Sequence, residues 1–212
     1  MIANHIHDAL AQVRRLQDLI LAKRLFRGYS GLARMAGGLL ALAGAAAMAR
    51  PDFPATPTAH LRGWAAVLAG ALLCNYGALL CWFITRPGSR RPLRELLPAG
   101  DAVPALAAGA GLSLALVMHG AYDLLFGAWM CLYGLAHIPY RNSLPFANYL
   151  VGLFYLAAGL VMLAWPGATF TNPCPMGLVF GLGELSGGFI LFRLNRENNL
   201  EMQEDTDDAN NR

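Results

Sequence analysis

Six apolar runs, most of them near 18 residues long, constrain this chain more than any other feature. A helix needs about 20 predominantly apolar residues to cross the hydrocarbon core of a bilayer. Proline and glycine breakers separate the runs, which span residues 32–49, 61–84, 101–118, 122–139, 147–165 and 173–192. The pattern predicts an all-α, polytopic membrane protein with six transmembrane helices paired in three hairpins.

Composition supports the same class of protein. Charged residues make up 14% of the 212-residue chain and hydrophobic residues 56%, whereas soluble domains carry about 25% charged residues. The net charge of +3 follows from where the arginines flank the runs, so it does not indicate a nucleic-acid partner. Three of the four cysteines, Cys74, Cys81 and Cys131, lie inside apolar runs without a CxxC pair, which favours small buried side chains over metal ligands.

The basic residues predict the orientation. When the flanks are numbered alternately from the N-terminus, one side holds 14 of the 16 basic residues and the other holds only Arg50 and Arg62. The positive-inside rule then places both termini in the cytoplasm. We expect a multi-pass protein of the cell (inner) membrane of a bacterium.

Two segments lie outside the predicted membrane domain at 31–196. Residues 1–30 contain an apolar face at helical spacing and five basic residues between Arg14 and Arg27. They predict a cytosolic amphipathic helix that lies on the membrane surface or pairs with another copy of the chain. Residues 197–212 carry six acidic residues and few apolar ones, which predicts a disordered tail.

Glu184 is the most informative residue of the sixth run. It lies nine residues before Arg193 and eleven after Pro173, or roughly 14–16 Å from either end of a helix. A carboxylate near the bilayer midplane must be hydrated, hydrogen-bonded or protonated, and such residues mark functional sites. Four glycines surround it at Gly181, Gly183, Gly187 and Gly188 and leave room for a neighbouring helix or a file of water.

Other polar groups lie at about the same predicted depth. Asn75, Tyr76 and Tyr133 are centred in the second and fourth runs, and each can hydrogen-bond a carboxylate. They predict a polar path or midplane site with Glu184, although interhelical hydrogen bonds that hold the bundle together explain Asn75 and Tyr133 as well. Four further residues flank the fourth run as candidate gates or interface groups: His119, Asp123, His137 and Arg141.

Two short segments resemble known families of small six-span proteins. NPCPMGL at 172–178 is similar to the NPAPLGL signature of the acetate and succinate permeases, although there the motif opens the first span. LLFGAWMCLYGLAHIP at 124–139 is similar to a helix of that family and of the amide and urea channels. The resemblance implies a channel or permease for a small solute, and in the urea channels three helical hairpins around a pore.

The sequence therefore leaves two main functions open. The first is a channel or permease for a small solute that passes Glu184. The second is a non-transporting scaffold or sensor whose N-terminal helix contacts a cytosolic partner or another protomer. No catalytic motif, metal-ligand spacing or cofactor fingerprint occurs in the sequence, so we expect neither an enzyme nor a cofactor. The expected partners are the lipid bilayer, a small solute and a second copy of the chain.

Overall fold

The fold is all-helical over the residues that the computed structural model describes, which are 30–85, 100, 103–138 and 146–210. Side chains are described as far as Arg196, except Asn195. The helices are α1 Gly31–Met48, α2 Pro57–Thr85, α3 Val103–Met118, α4 Leu125–Ala136, α5 Phe146–Ala164 and α6 Cys174–Asn210, with a short 3₁₀ helix at Tyr122–Leu124 before α4. The predicted all-α fold is confirmed, and each predicted apolar run corresponds to one of these helices.

Local sequence signals explain several helix ends. Ser30 caps α1 by accepting a hydrogen bond from the Ala33 N–H at 3.2 Å, as an N-cap serine does. Pro57 opens α2, where its missing N–H has no cost. After α3, Gly120 takes a left-handed φ of 69°. The Ala121 N–H there reaches back to the Leu116 carbonyl at 2.8 Å, which is the closing bond of a Schellman motif.

Four of these helices are long and apolar enough to cross a membrane: α1, α2, α5 and the first part of α6. The chain is thus a multi-pass membrane protein by the length and composition of its helices. Helix α3, at Val103–Met118, and the segment Tyr122–Ala136 are shorter apolar helices. The count of six spans and the cytoplasmic placement of both termini stay predictions.

Helix α6 continues beyond the predicted sixth run, to Asn210. Composition predicted disorder from residue 197 onward, and the helix includes most of that range. No proline or glycine interrupts the sequence between 189 and 210, so nothing in the local sequence ends the helix. The predicted amphipathic helix within 1–30 and the candidate gate Arg141 lie outside the described residues.

The helices follow one another around an open ring. The extensive helix pairs are α2 with α1, α1 with α6, α6 with α5, α5 with α4, and α4 with α3. The largest of these contacts joins α1 to α6, which are far apart in the chain, so the packing extends across the predicted hairpins, whose arrangement stays a prediction. Among the described residues, α2 and α3 form the two ends of the ring and share no extensive contact.

Glycines bring the backbones of α1 and α6 together. A Cβ at Gly31 would overlap the Gly188 carbonyl oxygen, and a Cβ at Gly38 would lie 3.0 Å from the Glu184 Cβ. Close approach through small residues is the usual way in which membrane helices pack. The glycines around Glu184 therefore accommodate neighbouring helices.

An aromatic core fills the inside of the helix bundle on the side where the turn between α1 and α2 lies. Trp64, Phe126 and Phe170 are buried there, with exposed fractions of 4%, 1% and 1%. The Phe126 and Phe170 rings lie 4.8 Å apart, and Trp64 meets Phe126 edge-on at 5.8 Å. Asp123 ties two turns together at this end, because its Oδ1 accepts a hydrogen bond from the Phe170 N–H at 2.8 Å.

Candidate functional site

Glu184 lies inside the ring and forms an ion pair with Arg34. The Arg34 Nε donates to Oε2 of Glu184 at 3.1 Å, and Nη2 donates to Oε1 at 3.2 Å. Both residues are buried, with exposed fractions of 7% for Arg34 and 6% for Glu184. The two-point contact joins α1 to the apolar first part of α6.

Two tyrosine hydroxyls complete the surroundings of the carboxylate. Tyr133 of α4 and Tyr155 of α5 donate to the same oxygen, Oε1 of Glu184, at 3.0 and 2.9 Å. Their rings meet edge-on with centroids 4.9 Å apart. Gly183 leaves the space that Tyr155 occupies, since a Cβ there would overlap the Tyr155 ring and hydroxyl. The carboxylate is therefore held by hydrogen bonds from three other helices.

The remaining contacts of Arg34 involve His137 and Asn148. Nη1 donates to the Asn148 Oδ1, and Nη2 lies 2.8 Å from the His137 Nε2. Because a guanidinium only donates, the His137 Nε2 accepts. Its Nδ1–H then donates to the Tyr133 carbonyl oxygen at 2.8 Å. This assignment makes His137 a neutral imidazole in the arrangement described.

We call these six residues the Arg34–Glu184 cluster: Arg34, Tyr133, His137, Asn148, Tyr155 and Glu184. They come from α1, α4, α5 and α6, with His137 directly after the end of α4. One positive and one negative charge balance, and each is hydrogen-bonded as buried ions require. Removing either charge alone would leave the other buried without its counter-charge, at a cost of about 3–5 kcal/mol.

The residues predicted to form a polar site separate into two groups. Tyr133 hydrogen-bonds Glu184, whereas the Asn75 amide donates to the Ala71 carbonyl of its own helix at 3.0 Å. Tyr76 is 42% exposed. Asn75 and Tyr76 nevertheless line the same cavity as Glu184.

The predicted gate residues are also separated. His137 belongs to the cluster, where its ring contacts Arg34. His119 is exposed and Asp123 holds the turn before Phe170, so both lie at the other end of the ring, by the aromatic core. Arg141 is outside the described residues.

A cavity of about 430 Å³ runs along the inside of the ring. Its walls come from all six helices, with the ring ends α2 and α3 facing each other across it. Apolar side chains form most of the lining, and the charged or amide-bearing and imidazole groups come from Arg34, Asn75, His137, Asn148 and Glu184. A largely apolar pocket with a few converging polar groups is typical of a small-molecule site.

The described residues do not form a metal site in this cavity. No group of three or more His, Cys, Asp and Glu side chains in the described part of the chain is placed to hold a metal ion. The cluster instead offers hydroxyl, amide and imidazole groups arranged around an ion pair. Such groups can bind a solute by hydrogen bonds and can exchange partners when helices move.

Sequence reasoning missed three members of the cluster: Arg34, Asn148 and Tyr155. Arg34 was counted among the cytoplasmic flanking residues, although it is the only charged residue within the run 32–49. A charged residue inside an apolar run needs a partner of opposite charge, so the position of Arg34 was the signal that could have identified it as the partner of Glu184. Asn148 and Tyr155 lie in the run 147–165, where their polar groups carried the same, weaker signal.

No family model, no curated protein and no solved structure matches the chain.

Proposed function

We propose that this protein is a membrane permease for a small solute, with the Arg34–Glu184 cluster as the polar end of its binding site. The observation that carries the proposal is the cavity, which brings the cluster and a mostly apolar wall together around one space. Its volume of about 430 Å³ lies within the usual range for ligand pockets, about 300–1,000 Å³.

The closed aromatic end favours a gated permease over an open channel. The cavity lining reaches Trp64, Trp129 and Met176 at that end, where Trp64 and Met176 pack into the buried core with Phe126. An open channel requires a polar path through both ends of the bundle. A permease instead exposes its site to one side at a time, with one end closed.

The cluster is suited to control such a change. It joins four helices through one ion pair, so a movement of α1 against α6 must break or exchange its hydrogen bonds. A solute that offers replacement hydrogen bonds lowers the cost of that exchange. Elements with two discrete arrangements are the physical basis of gating.

Solute flux into proteoliposomes tests the proposal. The panel contains small carboxylic acids, amides and polyols, measured against protein-free liposomes. The matched variant is the double substitution Arg34→Gln with Glu184→Gln, which removes both charges, keeps the side-chain sizes similar and leaves no lone buried charge. We expect wild-type flux for at least one class of solute and loss of that flux in the folded double variant. Wild-type protein without flux for any member, or equal flux in the double variant, would contradict the proposal.

The second candidate is a non-transporting scaffold, and the saturation of the cluster favours it. Both carboxylate oxygens of Glu184 and three nitrogens of Arg34 already have partners within the chain. A cluster that only holds helices together needs no solute. This candidate predicts no flux by the wild type and a structural effect alone from cluster substitutions.

A further inference from the structure

The cavity is long in one direction. Its lining on α2 extends from Leu61 to Leu79, a distance of roughly 27 Å along a helix. A volume of about 430 Å³ spread over that length makes a narrow space. Its shape suits an extended chain better than a compact solute.

Polarity changes from one end of this space to the other. Near Leu79 the walls include Asn75, Tyr76 and every member of the Arg34–Glu184 cluster except Tyr155. Toward Leu61 they are aliphatic and aromatic, and the polar groups there are Ser113 and the indole nitrogens of two tryptophans. Ser113 accepts a hydrogen bond from the Trp129 Nε1 at 2.7 Å and donates to its own helix at 2.6 Å. The cavity therefore has a polar end and an apolar end.

The polar end is charge-balanced. The Arg34 guanidinium and the Glu184 carboxylate neutralise each other at 3.1 Å, so neither an anion nor a cation finds an unpaired counter-charge there. At this polar end, three lining groups that have no hydrogen-bond partner among the described residues are uncharged: the Asn75 Oδ1, the Asn148 Nδ2 and the Tyr76 hydroxyl. They offer both donors and acceptors to an uncharged head group.

The gap in the ring of helices, between α2 and α3, lies beside the same cavity. Helices α2 and α3 line the cavity from opposite sides without extensive contact between them in the described part of the chain. Only 6% of the most apolar window of α2 is buried among the described residues, the smallest share of the four candidate spans. The space between α2 and α3 is where a ligand dissolved in the bilayer would reach the cavity.

We propose that the cavity binds an uncharged amphiphile with a single extended apolar chain and a hydroxyl or amide head. The chain lies along α2 toward Trp64, and the head meets Asn75, Tyr76 and Asn148. Entry is sideways from the bilayer, between α2 and α3. The inference rests on the proposed permease function where it names this amphiphile as the class of molecule that the permease transports.

Tryptophan fluorescence provides the test, because Trp64 and Trp129 line the apolar end of the cavity. The probe is 11-bromo-1-undecanol, whose bromine quenches nearby indoles, added to the full-length protein in detergent. Trp82, one of the four tryptophans of the chain, is first replaced by Phe. In that background we expect saturable quenching that is lost when Trp64 and Trp129 are both replaced by Phe as well, because the remaining Trp165, 61% exposed, reports only non-specific partition. The isomer 2-bromo-1-undecanol, with bromine beside the head, should quench at least threefold less at saturation.

Two glycines on α3 give a matched pair of variants. Gly109 lines the cavity, whereas a Cβ at Gly111 would meet nothing within 4 Å. Gly109→Leu should weaken binding at least tenfold, and Gly111→Leu should bind like the wild type. Ala71→Phe fills the cavity from the opposite wall and should repeat the loss. The acid and the trimethylammonium analogue of the same chain should each bind at least tenfold more weakly than the alcohol.

The outcomes separate this inference from the permease proposal. Absence of saturable quenching, equal binding by the Gly109→Leu and Gly111→Leu proteins, or preference for a charged head would overturn the uncharged amphiphile. Solute flux together with any of these results would leave the permease standing and remove only this class of ligand. Saturable binding of the alcohol without transport of any solute would support the ligand class and contradict the permease.

Discussion

Arg34 and Glu184 are separated by 150 positions in the sequence and form one buried ion pair. The sequence predicted only the Glu184 carboxylate of this site. Its counter-charge is the guanidinium of Arg34, which lies in the first turn of α1. Each charge makes the other tolerable in an apolar bundle, so the two residues have to be considered together.

A single substitution at this pair should therefore destabilise the protein. Glu184→Gln leaves the buried Arg34 without its counter-charge, and we expect a loss of about 3–5 kcal/mol in the free energy of unfolding. Adding Arg34→Gln should restore part of that loss, since no lone charge then remains. Denaturant titration of the purified proteins in detergent measures both values. Additive losses in the double variant would argue against the pair.

The tyrosine hydroxyls provide a finer test at the same scale. Tyr155→Phe removes one of the hydrogen bonds to Oε1 of Glu184 and keeps the buried ring. We expect a loss of about 1.5–3 kcal/mol, as for hydrogen bonds to charged groups. Tyr122→Phe, near the aromatic end of the ring, is the control and should change stability much less. Equal effects of the two substitutions would place Tyr155 outside the cluster.

At the scale of helices, the lengths of the apolar runs and the proline and glycine breakers predicted the helix bounds well. The contacts between helices were harder to infer. Runs such as 147–165 and 32–49 lie within one residue of α5 and α1, because apolar runs and breakers mark helix ends. The α1–α6 contact joins segments far apart in the sequence, and a single sequence holds no direct signal for such pairs. Arg34 was therefore assigned to the membrane flank instead of the site.

The glycine contact between α1 and α6 should be sensitive to a single methyl group. Gly31→Ala places a Cβ against the Gly188 carbonyl oxygen, so the backbones must separate, at a cost of about 1–3 kcal/mol. Gly77→Ala is the control, since a Cβ there meets nothing within 4 Å. That change should be neutral or stabilise α2 slightly, because alanine favours helix more than glycine does. Thermal unfolding of both variants measures the difference, and equal midpoints would contradict the close packing.

At the scale of the whole molecule, the ring and the predicted topology together orient the site. If both termini are cytoplasmic, the first turns of α1 and α5 lie on the cytoplasmic side, and the cluster lies nearer that side than the aromatic core does. The apolar end of the cavity then faces the outside. The orientation rests on the basic residues of the sequence.

Labelling with an impermeant maleimide checks this orientation. In a protein whose four cysteines are replaced, Thr56→Cys, in the turn before α2, should react in intact cells. Asn198→Cys should react only after permeabilisation. The reverse pattern would invert the molecule in the membrane and place the cluster on the outer side.

The central claim is that the cavity inside the ring is the path of the solute, and flux through a blocked cavity tests it most directly. Ala71 lines the cavity, and Gly77, on the same helix, is exposed and lies outside the lining. In proteoliposomes loaded with a solute that the wild type transports, Ala71→Phe should reduce flux at least tenfold. Gly77→Phe should transport like the wild type. Equal flux in both variants would contradict the claim that the solute passes through this cavity.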